Sequence, residues 1–409
     1  SFEAFEEFAR GTNESGYTYE GSTFKLKTDI ELPADWVPIG YIASAGASSG
    51  SYGFRGIFDG GGHTITIDNY QKLPVFGCVG FDGVVTNVKV KGDTVYNIFV
   101  PVIMTLFGEA SNIEVSGEFY KCSAGIVNEV FVGSLIKDCT IKSGSIISGE
   151  GAVGGILSLG RSGEGTVISK IEGCVVESGV TIMAADGQQY VQALGGIVGY
   201  SMGIVEGCSN GATLISKYKL ASRNITGGIV GSVNSVGNAN VINCVNTGDI
   251  ISTGGYVGGI AGHMYAAYTL IGVESSYSTG NISVSGNVSY VGGIGGYISR
   301  VTNSYWYGEF IDVPEGTEKV GAITGYVDSS LRVENSYFAV KSSGTEEAEE
   351  SISDLYEGNG STKLTAEDFE IGRAAYLLDG GKLEEDEEEF ETESTSFFLA
   401  DNNDGHKNI

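Results

Sequence analysis

The chain has 409 residues, 64 of them glycine and only five proline, and 41% are hydrophobic. Glycine at about twice its usual share with so little proline excludes collagen and proline-rich linkers, and the apolar content excludes global disorder. Lys plus Arg number 23 against 51 Asp plus Glu, a formal net charge of −28. That charge repels phosphate backbones and anionic bilayers, so neither nucleic acid nor a membrane surface is an expected partner.

In chain order, residues 1–20 form the first expected element, a short acidic helix with Phe2, Phe5 and Phe8 on one face. Such an apolar stripe needs a surface to cover, here the open end of a rod. The runs Thr23-Phe24-Lys25-Leu26 and Gly62-His63-Thr64-Ile65-Thr66-Ile67 alternate as strands do. The longest apolar run, Ile98 to Phe107, is broken by Pro101 and Thr105 and is too short for a transmembrane segment. The chain opens on Ser1 with no secretory signal, as expected of a processed chain whose targeting segment lies outside it.

Residues 21–340 carry a repeat that shows in three columns. A glycine-flanked apolar strand recurs at Gly154-Gly155-Ile156, Gly195-Gly196-Ile197, Gly227-Gly228-Ile229, Gly258-Gly259-Ile260, Gly292-Gly293-Ile294 and Gly321-Ala322-Ile323. A second column runs from Val85-Thr86-Asn87-Val88 through Ile136-Lys137-Asp138-Cys139 and Val241-Ile242-Asn243-Cys244 to Val333-Glu334-Asn335-Ser336. Its last position falls at 88, 113, 139, 174, 208, 244, 276, 304 and 336. A third column places Gly at 92, 117, 144, 179, 211, 248, 280 and 308, each followed by an apolar strand. Periods of this size mark stacked repeats.

Gly-Gly-Ile-Val-Gly forbids a helical repeat, and regular Asn-Gly hairpin turns, which propeller blades require, are missing. The expected fold is all-β: a parallel, right-handed, three-faced β-helix of about ten coils with short helical caps at both ends. At about 4.8 Å per coil, nine coils span about 40 Å. Asn87, Asn112, Asn243, Asn303 and Asn335 are expected at one corner in left-handed backbone, with Gly173 and Gly207 as equivalents. The six cysteines include no C-x-x-C pair, and Cys139, Cys174, Cys208 and Cys244 keep the repeat spacing. They are expected to stack inside the rod as free thiols, because neighbours pointing the same way suit a disulfide poorly.

Residues 341–409 hold 20 acidic and five basic residues. A capping helix is expected near 365–379, opening at Thr365, and Glu384 to Glu389 read as a solvated run.

The Gly-Gly-Ile-Val-Gly strand followed by Val-x-Asn-Cys resembles the GLUG repeat of bacterial surface proteins. The opening Trp36-Val37-Pro38-Ile39-Gly40 and Phe54-Arg55-Gly56-Ile57-Phe58-Asp59-Gly60-Gly61-Gly62-His63 resembles the start of such arrays. They occur in IgA-specific metallopeptidases and filamentous-haemagglutinin-like adhesins. The resemblance covers about residues 1–380 and implies an extracellular or cell-surface adhesin-like β-helix. It does not imply the peptidase, since no H-E-x-x-H motif surrounds His63, His263 or His406. The chain departs from the pattern where Cys becomes Ser at 276, 304 and 336.

β-Helix pectinases use His and Asp clusters, yet His63 and Asp59 sit in a glycine turn and read as structural. Arg300 and Arg332 fall at equivalent positions of adjacent coils, with Glu334 placed to compensate them. Asp401-Asn402-Asn403-Asp404-Gly405 lacks EF-hand spacing and reads as a turn, so no metal and no cofactor is expected. The binding candidates are aromatic. Tyr200, Ser232, His263, Tyr297 and Tyr326 follow the Gly strand along one edge. Tyr277, Tyr305 and Tyr337 follow the Ser column, with Trp306 adjacent. Rings standing outward on a rigid face suit an extracellular glycan or protein ligand. The reading is a monomeric, non-catalytic, secreted or surface adhesin-like protein. A carbohydrate-active β-helix enzyme and a passive surface stalk are the alternatives.

Overall fold

The computed structural model describes residues 1–40, 50–51, 53–131, 133–161, 169–185, 192–218, 224–233, 240–264, 271–286, 288–313, 320–326, 332–340, 361–370 and 372–378. The acidic runs 341–360 and 379–409, including Glu384 to Glu389 and Asp401 to Gly405, lie outside the described residues.

The chain winds into a parallel β-helix. Strands pair in parallel from Thr23↔Ile57 at one end to Ser336↔Ser361 at the other. Among the described residues three sheets result: one of 27 strands that wraps a corner, one of six and one of eight. Strands turn alternate side chains inward, so the core is a column rich in Val, Ile and Phe along the rod, and several strands of the two smaller sheets are buried on both faces.

The wrapped corner is set by one residue per coil in left-handed backbone. Asn87, Asn112, Asp138, Gly173, Gly207, Asn243, Ser275, Asn303 and Asn335 all have φ between 45° and 61°. From coil to coil the corner amides bond upward, Asp138 N–H to Glu172 O, Gly173 N–H to Glu206 O and Asn243 N–H to Glu274 O. The asparagine side chains add rungs of their own, Asn335 Nδ2 donating to Asn303 Oδ1 at 2.9 Å.

One residue past the corner, the cysteines stack as expected. All six are buried and none is in a disulfide. The thiols of Cys139, Cys174, Cys208 and Cys244 donate to the carbonyl two residues back, at 3.2–3.4 Å. Ser276, Ser304 and Ser336 continue the ladder, their hydroxyls donating to the equivalent carbonyls at 2.8–3.0 Å. The change from Cys to Ser therefore keeps the geometry and substitutes a stronger donor.

The ends are capped. Helix α1 (Phe2–Asn13) lays Phe5 and Phe8 on the first coils. Phe8 stacks on Phe24 at 4.3 Å and Phe5 on Trp36 at 5.3 Å. At the far end, Ser361–Lys363 adds a last strand to Ser336–Val340. Two short helices follow, α2 (Ala366–Glu370) and α3 (Arg373–Leu378). A single helix over 365–379 was the expectation, but Gly372 at φ 81° breaks it. Thr365 does cap α2: its hydroxyl accepts the Asp368 N–H at 3.1 Å, while its own N–H donates to Asp368 Oδ2 at 2.7 Å.

Candidate functional site: an aromatic patch between two sheets

The glycine motif brings the six- and eight-stranded sheets together. A Cβ on Gly199, Gly262 or Gly296 would lie 2.7–2.8 Å from the amide nitrogens of Val153, Thr226 or Val257 on the other sheet. A Cβ on Gly259 would lie 2.0 Å from Gly293 O of the next coil. Only glycine permits both approaches.

Because the sheets abut, outward side chains from both meet. Ser232, His263 and Tyr297 are in register on the eight-stranded sheet, and the bridge Gly295↔Thr324 brings Tyr326 beside Tyr297. On the six-stranded sheet Tyr256 pairs with Tyr290. His263 stacks on Tyr297 at 5.3 Å and Tyr297 on Tyr326 at 4.1 Å. Tyr256 stacks on Tyr290 at 5.4 Å. Tyr290 meets both Tyr297 and Tyr326 edge-on, at 5.2 and 5.3 Å. All five rings are half-buried. Burial lowers the pKa of His263 below the ordinary histidine value, so its ring is neutral near pH 7.

Sequence reasoning placed His263, Tyr297 and Tyr326 on one row, and the structure joins them. It missed Tyr256 and Tyr290. Both stand two residues before a Gly-Gly pair, a recurrence visible in the sequence but on the opposite side of the motif from the residues considered. Tyr200 and Ser232 belong to the same row but are buried, at 9% and 4% exposure, so the accessible patch begins at His263.

The Ser-column row differs from expectation. Tyr277, Tyr305 and Tyr337 are in register, and Tyr277 stacks on Tyr305 at 4.7 Å. Phe369 of α2 then packs over Tyr305 and Tyr307, at 5.3 and 5.2 Å, leaving Tyr305 9% exposed. Trp306 is a correction: it is fully buried and cannot meet a ligand. Two residues from the inward Ser304, it must also point inward. There it continues the interior column Asn210, Asn246, Ser278, Trp306, Phe338, against the space that Gly293 leaves.

A groove lies at the other end of the rod. It is open, about 520 Å³ in volume, on the outside of the corner, and lined by Lys25, Asp59, Asn87, Lys89, Asn112 and Glu114 among others. Asp59 is held by Lys25 Nζ (2.9 Å), the Gly61 N–H (2.8 Å) and Asn87 Nδ2 (3.2 Å), and these bonds lower its pKa. His63 Nδ1 lies 3.2 Å from Asp29 Oδ1, an exposed contact beside the turn. Arg300 and Arg332 are in register as expected, but no ion pair joins either to Glu334 among the described residues. Among those residues, no cluster of three His, Cys, Asp or Glu could hold a metal, and no helix is long and apolar enough to cross a membrane.

No family model matches this chain, and no curated protein is detectably similar to it.

Proposed function

We propose that this chain is a non-catalytic, adhesin-like β-helix of the GLUG-repeat type. It would act outside the cell or on a bacterial surface and hold a glycan or protein ligand on the patch of Tyr256, His263, Tyr290, Tyr297 and Tyr326. The observation that carries this reading is the meeting of five half-buried rings from two sheets on strands fixed by cross-coil ladders. Ring faces with polar edges suit the apolar face of a sugar or a nonpolar side chain, and a pre-formed platform spends little entropy on binding. The passive-stalk reading draws its support from the other row, where Phe369 covers Tyr305. A carbohydrate-active enzyme needs a pair of carboxylates placed to exchange protons, whereas of the two that line the corner groove Asp59 is engaged by three donors.

A glycan and mucin array decides between these readings, run on the full chain and on Tyr290→Ala with Tyr297→Ala. Saturable binding that falls tenfold or more in the double variant supports the patch. Equal binding by both proteins rejects it, and silence from the folded wild type favours the stalk.

A further inference from the structure

The outer face of the corner is laced with ion pairs. Lys170 bridges Glu172 at 2.7 Å and Glu206 at 2.8 Å, Lys137 meets Glu172 at 3.3 Å, and Lys142 pairs with Glu177. One place departs from this pattern. Lys89 and Glu114 are opposite charges directly in register on adjacent coils, the arrangement that pairs elsewhere on this face. Each has an opposite charge close enough to act on it, Asp29 for Lys89 and Lys142 for Glu114, yet neither makes an ion pair or a side-chain hydrogen bond among the described residues. Both line the groove, beside Asn112, whose amide has no hydrogen-bond partner among the described residues. Asp59, by contrast, accepts from three donors and holds Lys25 and Asn87 in place.

We propose that this groove binds the hydroxyls of a neutral oligosaccharide lying along the rod axis. The ammonium of Lys89 donates, the carboxylate of Glu114 accepts and the amide of Asn112 does both, so adjacent sugar hydroxyls satisfy all three. The groove carries two cations, Lys25 and Lys89, against two anions, Asp59 and Glu114. Its neutrality disfavours an ionic ligand of either sign. Its functional groups recur once per coil, about 4.8 Å apart, a spacing close to the length of one pyranose ring. From Lys25 to Glu114 the groove crosses three such steps, about 14 Å. This site is separate from the aromatic patch and does not depend on it.

Calorimetric titration of the full chain with cellotetraose, mannotetraose and maltotetraose tests the proposal, with tetragalacturonate as the anionic comparator. At least one neutral tetramer should bind with a millimolar or tighter Kd. Lys89→Ala and Glu114→Gln should each weaken it tenfold or more at an unchanged melting midpoint. Lys170→Ala removes a lysine from the same face outside the groove and should leave the affinity unaltered. Lys89 is exposed, so its variant folds even if the Glu114 variant does not. The proposal is overturned by no heat from any neutral tetramer up to about 10 mM, by binding that ignores Lys89→Ala, or by binding of tetragalacturonate alone.

Discussion

Ser275 sits where its eight counterparts are Asn, Asp or Gly, at φ 48°. Left-handed backbone costs an ordinary L-residue about 1–2 kcal/mol, and Asn tolerates it better through local hydrogen bonding. The neighbouring corners hold Asn243 and Asn303, and Asn303 already accepts from Asn335 at 2.9 Å. Ser275→Asn should therefore raise the unfolding free energy by about 0.5–1 kcal/mol, read as a shift in urea midpoint at constant slope. A loss of stability would mean that the asparagine ladder contributes nothing at this corner. The same column shows what a sequence makes legible at this scale. A corner that admits only left-handed backbone restricts its occupants to a few residue types, so it can be read without coordinates. Trp306 could not be placed by residue type, because an aromatic suits either face. Only counting two residues from Ser304 assigns it to the interior.

At the scale of elements, the repeat could be read because each coil reuses the same bend and the same inward positions. The caps were legible for a different reason, since Phe2, Phe5 and Phe8 on an acidic helix have no other surface to cover. Phe8 touches Phe24, Phe54 and Phe58, at 4.3, 5.4 and 6.2 Å. Phe8→Ala should cost about 3–5 kcal/mol if the cap melts together with the first coils. If the helix frays alone, the main melting transition should hold its midpoint while helical ellipticity falls. Circular dichroism with tryptophan fluorescence separates the two outcomes, because Trp36 stacks on Phe5 beneath the helix. The aromatic patch was only half legible. Its two rows lie on different sheets, and their meeting depends on how closely Gly199, Gly262 and Gly296 let those sheets approach. That distance is a property of packing between elements, not of either strand's own pattern.

At the scale of the molecule, each coil contacts chiefly the coil above and the coil below, so stability is a sum over neighbouring interfaces. Val205 and Val241 are in register on successive coils. Deleting residues 205–240 splices Ile204 onto Val241 and removes one whole turn without disturbing the inward pattern. The shortened chain should fold with a cooperative transition and a maximum dimension smaller by about 4.8 Å in solution scattering. An unfolded product would show that this coil holds contacts its neighbours cannot reproduce. The interior Asn210–Asn246 hydrogen bond at 2.8 Å is the contact most at risk, but Asn246 occupies the same register as Asn210 and can take its place.

The identical corner geometry of successive coils also turns the molecule into a ruler. The groove near Glu114 and the rings near Tyr297 sit on one rigid lattice. The gap between them is therefore an integer number of graduations, adjustable only by adding or removing whole turns. A ligand long enough to touch both ends would sense that integer. If both proposed sites hold one extended polymer, duplicating or losing a coil would retune the length that fits, without altering a single contacting residue.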